Sequence, residues 1–261
     1  EATDGTWPFT DRELPVPTDD QTLPPIWDIV SRFFEPQRSN DPTDLWRFIL
    51  DAALFTFRTA FVGFVFGIIL GLGLALIMLR SRWLERGMLP YIIISQTVPL
   101  IAIAPLVVAW GNQIDVGFIE WQSWMSVAII ATYLTFFPVS VGALRGLKSP
   151  PPHALELMDS YASPWRSTLF KLRFPAAVPY LIPALKVAAT AAVVGAIVGE
   201  ISAGVRGGLG RLIIDYSQQY LQDPARLYCV VIFAGIVGIC FVGVVTALDA
   251  YLMRNRPREH R

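Results

Sequence analysis

The sequence predicts an all-α transmembrane protein with five visible spans. Three observations carry this reading. The 261-residue chain is 54% hydrophobic and only 16% charged, and the charge avoids five long windows. Each window reaches the roughly 20 residues that a helix needs to cross hydrocarbon. None alternates like the ~10-residue strands of a membrane barrel, and a continuous apolar run in lipid satisfies its backbone only as a helix. Finally, Lys and Arg collect in alternate connections, the pattern of loops on the cytoplasmic side.

Residues 1–47 hold ten Asp or Glu against four Arg. They contain neither a signal-peptide pattern nor a span. This stretch reads as an extracytoplasmic segment, and residues 48–261 as the membrane domain. The first span runs from about Ala52 to Leu79 and carries Gly63, Gly67 and Gly71 at four-residue spacing. Small residues at that spacing let helices approach closely, inside one subunit or across a dimer. The second span, about Met88–Trp110, contains Gln96, Thr97 and Pro99, then Pro105. Proline breaks the helical ladder, which a membrane tolerates where the break lines a cavity or is buried in protein. A Gln is costly in lipid and must face protein or water. These residues therefore read either as translocation pathway or as an interhelical hydrogen bond.

The third span covers about Trp124–Leu144 and the fourth about Val178–Ile201. Lys186 and Glu200 in the fourth are 14 residues apart, so they fall within about 40° of one face and about 21 Å apart along the axis. That distance excludes a direct pair. Ionisable groups inside spans face the bundle interior or water by default, and Lys186 can also snorkel. The fifth span, about Leu227–Met253, holds Cys229 and Cys240, too far apart on one helix to bridge.

Orientation follows from the basic residues. Arg80, Arg82 and Arg86 follow the first span, and Arg145, Lys148, Arg166, Lys171 and Arg173 lie in or beside the 149–175 insert. Arg254, Arg256, Arg258 and Arg261 follow the last span. These connections face the cytoplasm. The loop from Gly111 to Ser123 has only Asp115 and Glu120 and faces outside, whereas Arg206 and Arg211 in the 202–224 loop cut against the rule.

The polar insert at residues 149–175 is the most specific feature. Pro150, Pro151 and Pro152 stop any helix continuing from the third span. Ala154–Tyr161 then has good helix formers, with Leu155, Met158 and Ala162 on one face and Glu156 and Asp159 on the other. After Ser163 and Pro164, a second short helix is expected over Trp165–Arg173. A short helix across the membrane end can sit in a groove on a partner; the plainer alternative is a solvated loop helix.

Enzyme signals are missing. His153 and His260 lack metal-ligand spacing. Gly146-Leu147-Lys148-Ser149 only approximates a phosphate loop, which needs Gly directly before Lys and a strand ahead of it. The formal net charge of zero points to no nucleic acid.

The insert resembles the EAA loop of ABC importer permeases. That loop reads EAA, three residues, Gly, nine residues, Ile-x-Leu-Pro. This chain keeps Glu156 and Pro175, with Leu157 and Met158 for the two Ala, Ala162 for the Gly, Leu172 for the Ile and Phe174 for the Leu. The run from Phe174 to Glu200 and the later Gly207-Gly208-Leu209-Gly210 are similar to permeases for sulfonates, taurine, nitrate and thiamine-pyrimidine precursors. Leu23-Pro24-Pro25-Ile26 resembles a stretch that follows the first of six spans in that group.

The resemblance implies a type I ABC importer permease with a sixth span upstream of residue 1, in the bacterial inner membrane. It implies a permease dimer, two ATPase subunits that hold ATP and Mg and dock on Glu156, Asp159, Ala162, Ser163, Trp165 and Pro175, and an extracytoplasmic solute-binding protein. The chain itself needs no cofactor or metal. Glu200 fits the family's terminal Glu on the outward side of the pathway. The rival classes are a membrane-embedded enzyme and a channel without an ATPase. The solute stays open between anions such as sulfonates, taurine or nitrate and rings such as a pyrimidine precursor or a flavin.

Overall fold

A computed structural model describes residues 6–7, 10–13, 24–38, 41–113 and 121–253. Leu23, Asp115, Glu120 and the four C-terminal arginines, with the expectations placed on them, lie outside these residues. The N-terminal region holds two antiparallel hairpins, β1 (Thr6–Trp7) with β2 (Thr10–Glu13), and β3 (Pro36–Arg38) with β4 (Asp41–Asp44). Between them lies a short helix, α1 (Ile26–Phe33). The sequence reading had no helix there, although Ile26, Ile29, Val30 and Phe33 recur at helical spacing.

The bundle is built on α2 (Leu45–Arg80), α5 (Ser123–Leu147), α8 (Phe174–Ala203) and α10 (Pro224–Met253). Among the described residues, four helices are long and apolar enough to span, and five spans result if the bent pair counts as one. The first span is longer than the apolar run suggests, because α2 starts at Leu45, whose side chain is fully buried. α2 and α5 run parallel, and the glycine ladder is their contact. A Cβ on Gly63 would lie 2.4 Å from the Ala131 Cβ, one on Gly67 2.4 Å from the Thr135 Cβ, and one on Gly71 2.8 Å from the Val139 Cβ. The close approach is therefore made within the chain. It brings the Thr132 hydroxyl, which lies 2.8 Å from the Ala128 carbonyl of its own helix, within 3.2 Å of the Gly63 carbonyl. α8 returns antiparallel along α5, again through small residues: a Gly142 Cβ would sit 2.3 Å from the Ala184 Cβ.

The second span departs from expectation. It is not one helix over Met88–Trp110 but α3 (Arg82–Ser95) and α4 (Leu100–Gly111), bent by 96° at the break. Pro99 cannot donate to the ladder and pushes Val98 out of helical geometry. Pro90 and Pro105, by contrast, stay inside their helices.

The insert also differs from its reading. α6 (Pro152–Ser160) is a separate short helix, opened by proline at its first positions. The residues expected to form a second isolated helix are instead the start of the fourth span. α7 (Trp165–Thr168), a π turn (Leu169–Arg173) and α8 form one helical run, Trp165–Ala203. The π turn makes this possible. The Phe174 N–H reaches back to the Leu169 carbonyl, widening the helix just ahead of Pro175, which has no N–H to give.

The 202–224 connection is also ordered. It contains α9 (Leu209–Gln218). Arg211, which cut against the charge rule, pairs with Asp215 at 3.0 Å one turn later on α9.

Candidate functional site

The residues singled out in the sequence do not form one site. They occupy the two ends of the bundle and the break between them.

At the end where α5 stops, α6 hangs clear of the bundle, with none of its residues buried. Glu156 and Asp159 are exposed, as are Leu157 and Tyr161. The turn after α6 holds Ala162, which has φ 48°, the single positive φ outside glycine among the described residues. This is the position where the EAA pattern has Gly, and the left-handed turn explains why: a side chain there costs about 1–2 kcal/mol. Ser163 closes the turn by donating its N–H to the Met158 carbonyl at 3.0 Å. Both roots of the insert are tied together. The Arg173 guanidinium donates to the Leu147 carbonyl at 2.9 Å and Ser149 Oγ to the Ala176 carbonyl at 3.2 Å. Lys148 pairs with Glu85 of α3. The two ends of the insert are thereby fixed to α5, α8 and α3. Trp165 is exposed beyond the turn, and Pro175 sits at the first turn of α8.

At the break in the second span, Gln96 is half-buried and Thr97, Val98 and Pro99 are exposed on the chain surface. The Gln96 amide donates to Ser95 Oγ at 3.3 Å, and Thr97 Oγ1 donates to the Ile94 carbonyl at 2.8 Å. The Tyr133 hydroxyl of α5 donates to the Ser95 carbonyl and pins the elbow. α4 begins at Pro99 with no side-chain cap, so its first amides need water or another chain. Such backbone is not stable against lipid tails.

At the other end, Glu200 is fully buried. The resemblance gives it to the outward end of the pathway; within this chain its carboxyl packs against α2 and the start of α9. Its Oε2 accepts the Gly210 N–H at 2.8 Å and faces Thr56 Oγ1 of α2 at 3.0 Å. The same Thr56 oxygen accepts the Leu209 N–H at 2.9 Å. A carboxyl oxygen and a hydroxyl from two spans thus accept the first amides of α9 and cap its first turn. The glycines are required by contact: a Cβ on Gly208 would lie 2.2 Å from the Glu200 carboxyl. Gly204 and Gly207 reverse the chain at φ 63° and 103°.

Lys186 does not snorkel freely. Its Nζ meets Asp249 Oδ2 of α10 at 2.8 Å. Asp249, Thr56 and Tyr133 were missed in the sequence, where only a lone acid in the last apolar segment hinted at a partner. Thr190 and Thr246, each within one turn of the pair, line an apolar groove between α8 and α10 of about 920 Å³.

Comparison with known proteins fits this geometry. Residues 63–256 match the family of binding-protein-dependent transport system inner membrane components. The chain is 29% identical over 163 residues to the formylaminopyrimidine transport permease ThiX of Halalkalibacterium halodurans, covering 59% of this chain and 62% of that one. It is 28% identical over 197 residues to the aliphatic sulfonates transport permease SsuC assigned in Bacillus subtilis, covering 76% and 65%. It is 32% identical over 99 residues to the riboflavin transport permease RibX of Chloroflexus aurantiacus, covering 38% and 33%. The chain thus spans between a third and just under two thirds of these relatives' lengths. Its fold is shared with a chain from an amino acid ABC transporter, at TM-score 0.61 and 16% identity, over 79% of this chain and 94% of that one. A chain of the methionine transporter MetNI gives TM-score 0.55 and 21% identity, over 78% and 95%. With a family match over most of its length and this fold, the chain belongs to the binding-protein-dependent transport system inner membrane components, a family of multi-pass ABC permeases.

Proposed function

We propose that this chain is the membrane-spanning permease subunit of an ATP-driven importer. It would pass a small solute from an extracytoplasmic binding protein to the cytoplasm, with ATP hydrolysed on separate ATPase subunits. The observation that carries the reading is α6. It is a helix with no buried residue, it bears Glu156 at the EAA spacing, and it is bonded at both roots to the spans. A helix so placed contributes little to the fold and is suited to a groove on a partner.

Two copies would meet with their broken second spans toward a shared pathway. Gln96, Thr97 and Pro99 would line it, since the elbow's backbone needs water or protein rather than lipid. Movement of the two α6 helices by the ATPases would rock the spans as rigid bodies and alternate access. The family relatives are named for a formylaminopyrimidine, aliphatic sulfonates and riboflavin, which supports a small organic solute selected by the binding protein.

The test is Glu156→Arg in proteoliposomes with the ATPase and binding protein. Insertion should be normal, while transport and binding-protein stimulation of ATP hydrolysis should be lost. Wild-type transport with wild-type stimulation would remove Glu156 from the coupling contact.

A further inference from the structure

The geometry points to α1 as an interfacial anchor, lying flat in the lipid headgroup boundary at the corner where protein, bilayer and water meet. The helix divides into three arcs. At 100° per residue, Ile26, Val30, Phe34 and Trp27 fall within one arc of about 100°. All four are exposed, at 77%, 51%, 70% and 72%. Beside that arc, Ile29 and Arg32 are buried against the bundle and Phe33 is half-buried. On the remaining side are Asp28 and Ser31, exposed and polar. A helix on a soluble surface needs two arcs, one for the core and one for water. A second apolar arc facing outward calls for a third environment.

The position of α1 on the bundle identifies that environment as lipid. The helix rests on the first turns of α10. Cys229 Sγ lies 3.4 Å from the Ile29 carbonyl, and the rings of Phe33 and Phe233 are 5.5 Å apart. Cys229 and Phe233 open a stripe that continues down α10 through Ile236, Cys240 and Val244, all on one face at helical spacing. α1 covers the top of the stripe, and the rest is bare: Cys240 and Val244 are exposed, as is Ile236. The outward arc of α1 thus continues an apolar surface of a spanning helix. The water side is marked by charge. Arg32 Nε reaches Asp223 Oδ2 at 2.8 Å, and Arg226 Nε reaches the same oxygen at 2.7 Å, where α10 begins. Trp27 and Phe34 then sit at headgroup depth, where amphipathic rings are favoured. Through Arg32 the anchor also fixes the α9–α10 turn relative to the bilayer plane.

The test is a nitroxide scan of the full chain in liposomes. Exposed Cys240 is replaced by Ala, buried Cys229 is kept, and single labels are placed by Asp28→Cys, Val30→Cys, Ser31→Cys and Phe34→Cys. Labels at 30 and 34 should collide mainly with oxygen, and labels at 28 and 31 mainly with a water-soluble nickel chelate. Trp fluorescence gives a second reading: brominated lipid should quench wild type more than Trp27→Phe. Nickel access at 30 and 34 equal to that at 28 and 31 would overturn the anchor. So would shielding of 30 and 34 from both reagents, which would mean that protein, either a partner or another part of the chain, covers this face.

Discussion

Lys186 and Asp249 meet at 2.8 Å between α8 and α10, an ion pair joining two apolar spans. Their side chains remain 34% and 21% exposed, so the pair lies between two regimes. An exposed pair contributes up to about 1 kcal/mol, whereas breaking a buried one costs ~3–5 kcal/mol. Lys186→Met should destabilise the protein by an amount between those limits, by leaving Asp249 without its partner. The exchange Lys186→Asp with Asp249→Lys should recover most of the loss. Thermal unfolding of the two single variants and the double variant in detergent checks this, and additivity of the single effects would show that the pair is not coupled.

The glycine ladder separates packing from propensity. Gly67 and Gly73 lie on the same helix, but a Cβ meets Thr135 at 2.4 Å at the first and open space at the second. Gly67→Ala should cost roughly 1–3 kcal/mol through overpacking, and Gly67→Leu more. Gly73→Ala should leave stability unchanged or slightly raised. Melting temperatures of the three variants decide it; equal effects at 67 and 73 would mean that α2 and α5 do not pack as described.

The cap on α9 predicts an order of severity. Gly208→Ala drives a methyl into the Glu200 carboxyl and should detach the start of α9. Glu200→Ala removes the acceptor of the Gly210 N–H and should cost about 1 kcal/mol or more, as lost N-caps do. Glu200→Gln keeps an acceptor oxygen and should be the mildest. Limited proteolysis across residues 204–210 is the readout, with cleavage fastest for Gly208→Ala.

The turn after α6 should favour glycine. Ala162 sits at φ 48°, a geometry that costs a side chain about 1–2 kcal/mol, against which glycine loses some 0.4–1 kcal/mol through the freer unfolded chain. Ala162→Gly should therefore be neutral to slightly stabilising and keep transport. Ala162→Val, β-branched, should disrupt the turn and lower transport at normal membrane insertion. Paired transport and ATPase measurements would show it, and a fully active Val variant would mean that the turn geometry is dispensable.

The sequence by itself determined the helical class, the five apolar segments and the family pattern of the insert. These are local quantities: a run of apolar residues is long enough or it is not, and a Glu-to-Pro spacing is a count. The tertiary structure decided what depends on which helix lies beside which. Pro99 and Pro105 in the second segment looked alike in sequence, yet the 96° break fell before Leu100 while Pro105 stayed within α4. Tyr133, from another helix, holds the elbow. Pro175 looked like a boundary, but a π turn carries the helix through it. Glu200 and Lys186 looked like functional charges on one helix. Their partners, Thr56 at 144 residues' separation and Asp249 at 63, turn both inward to the chain's own framework. A charge in a span needs a partner because lipid supplies none, and the partner's identity is fixed only when the helices pack.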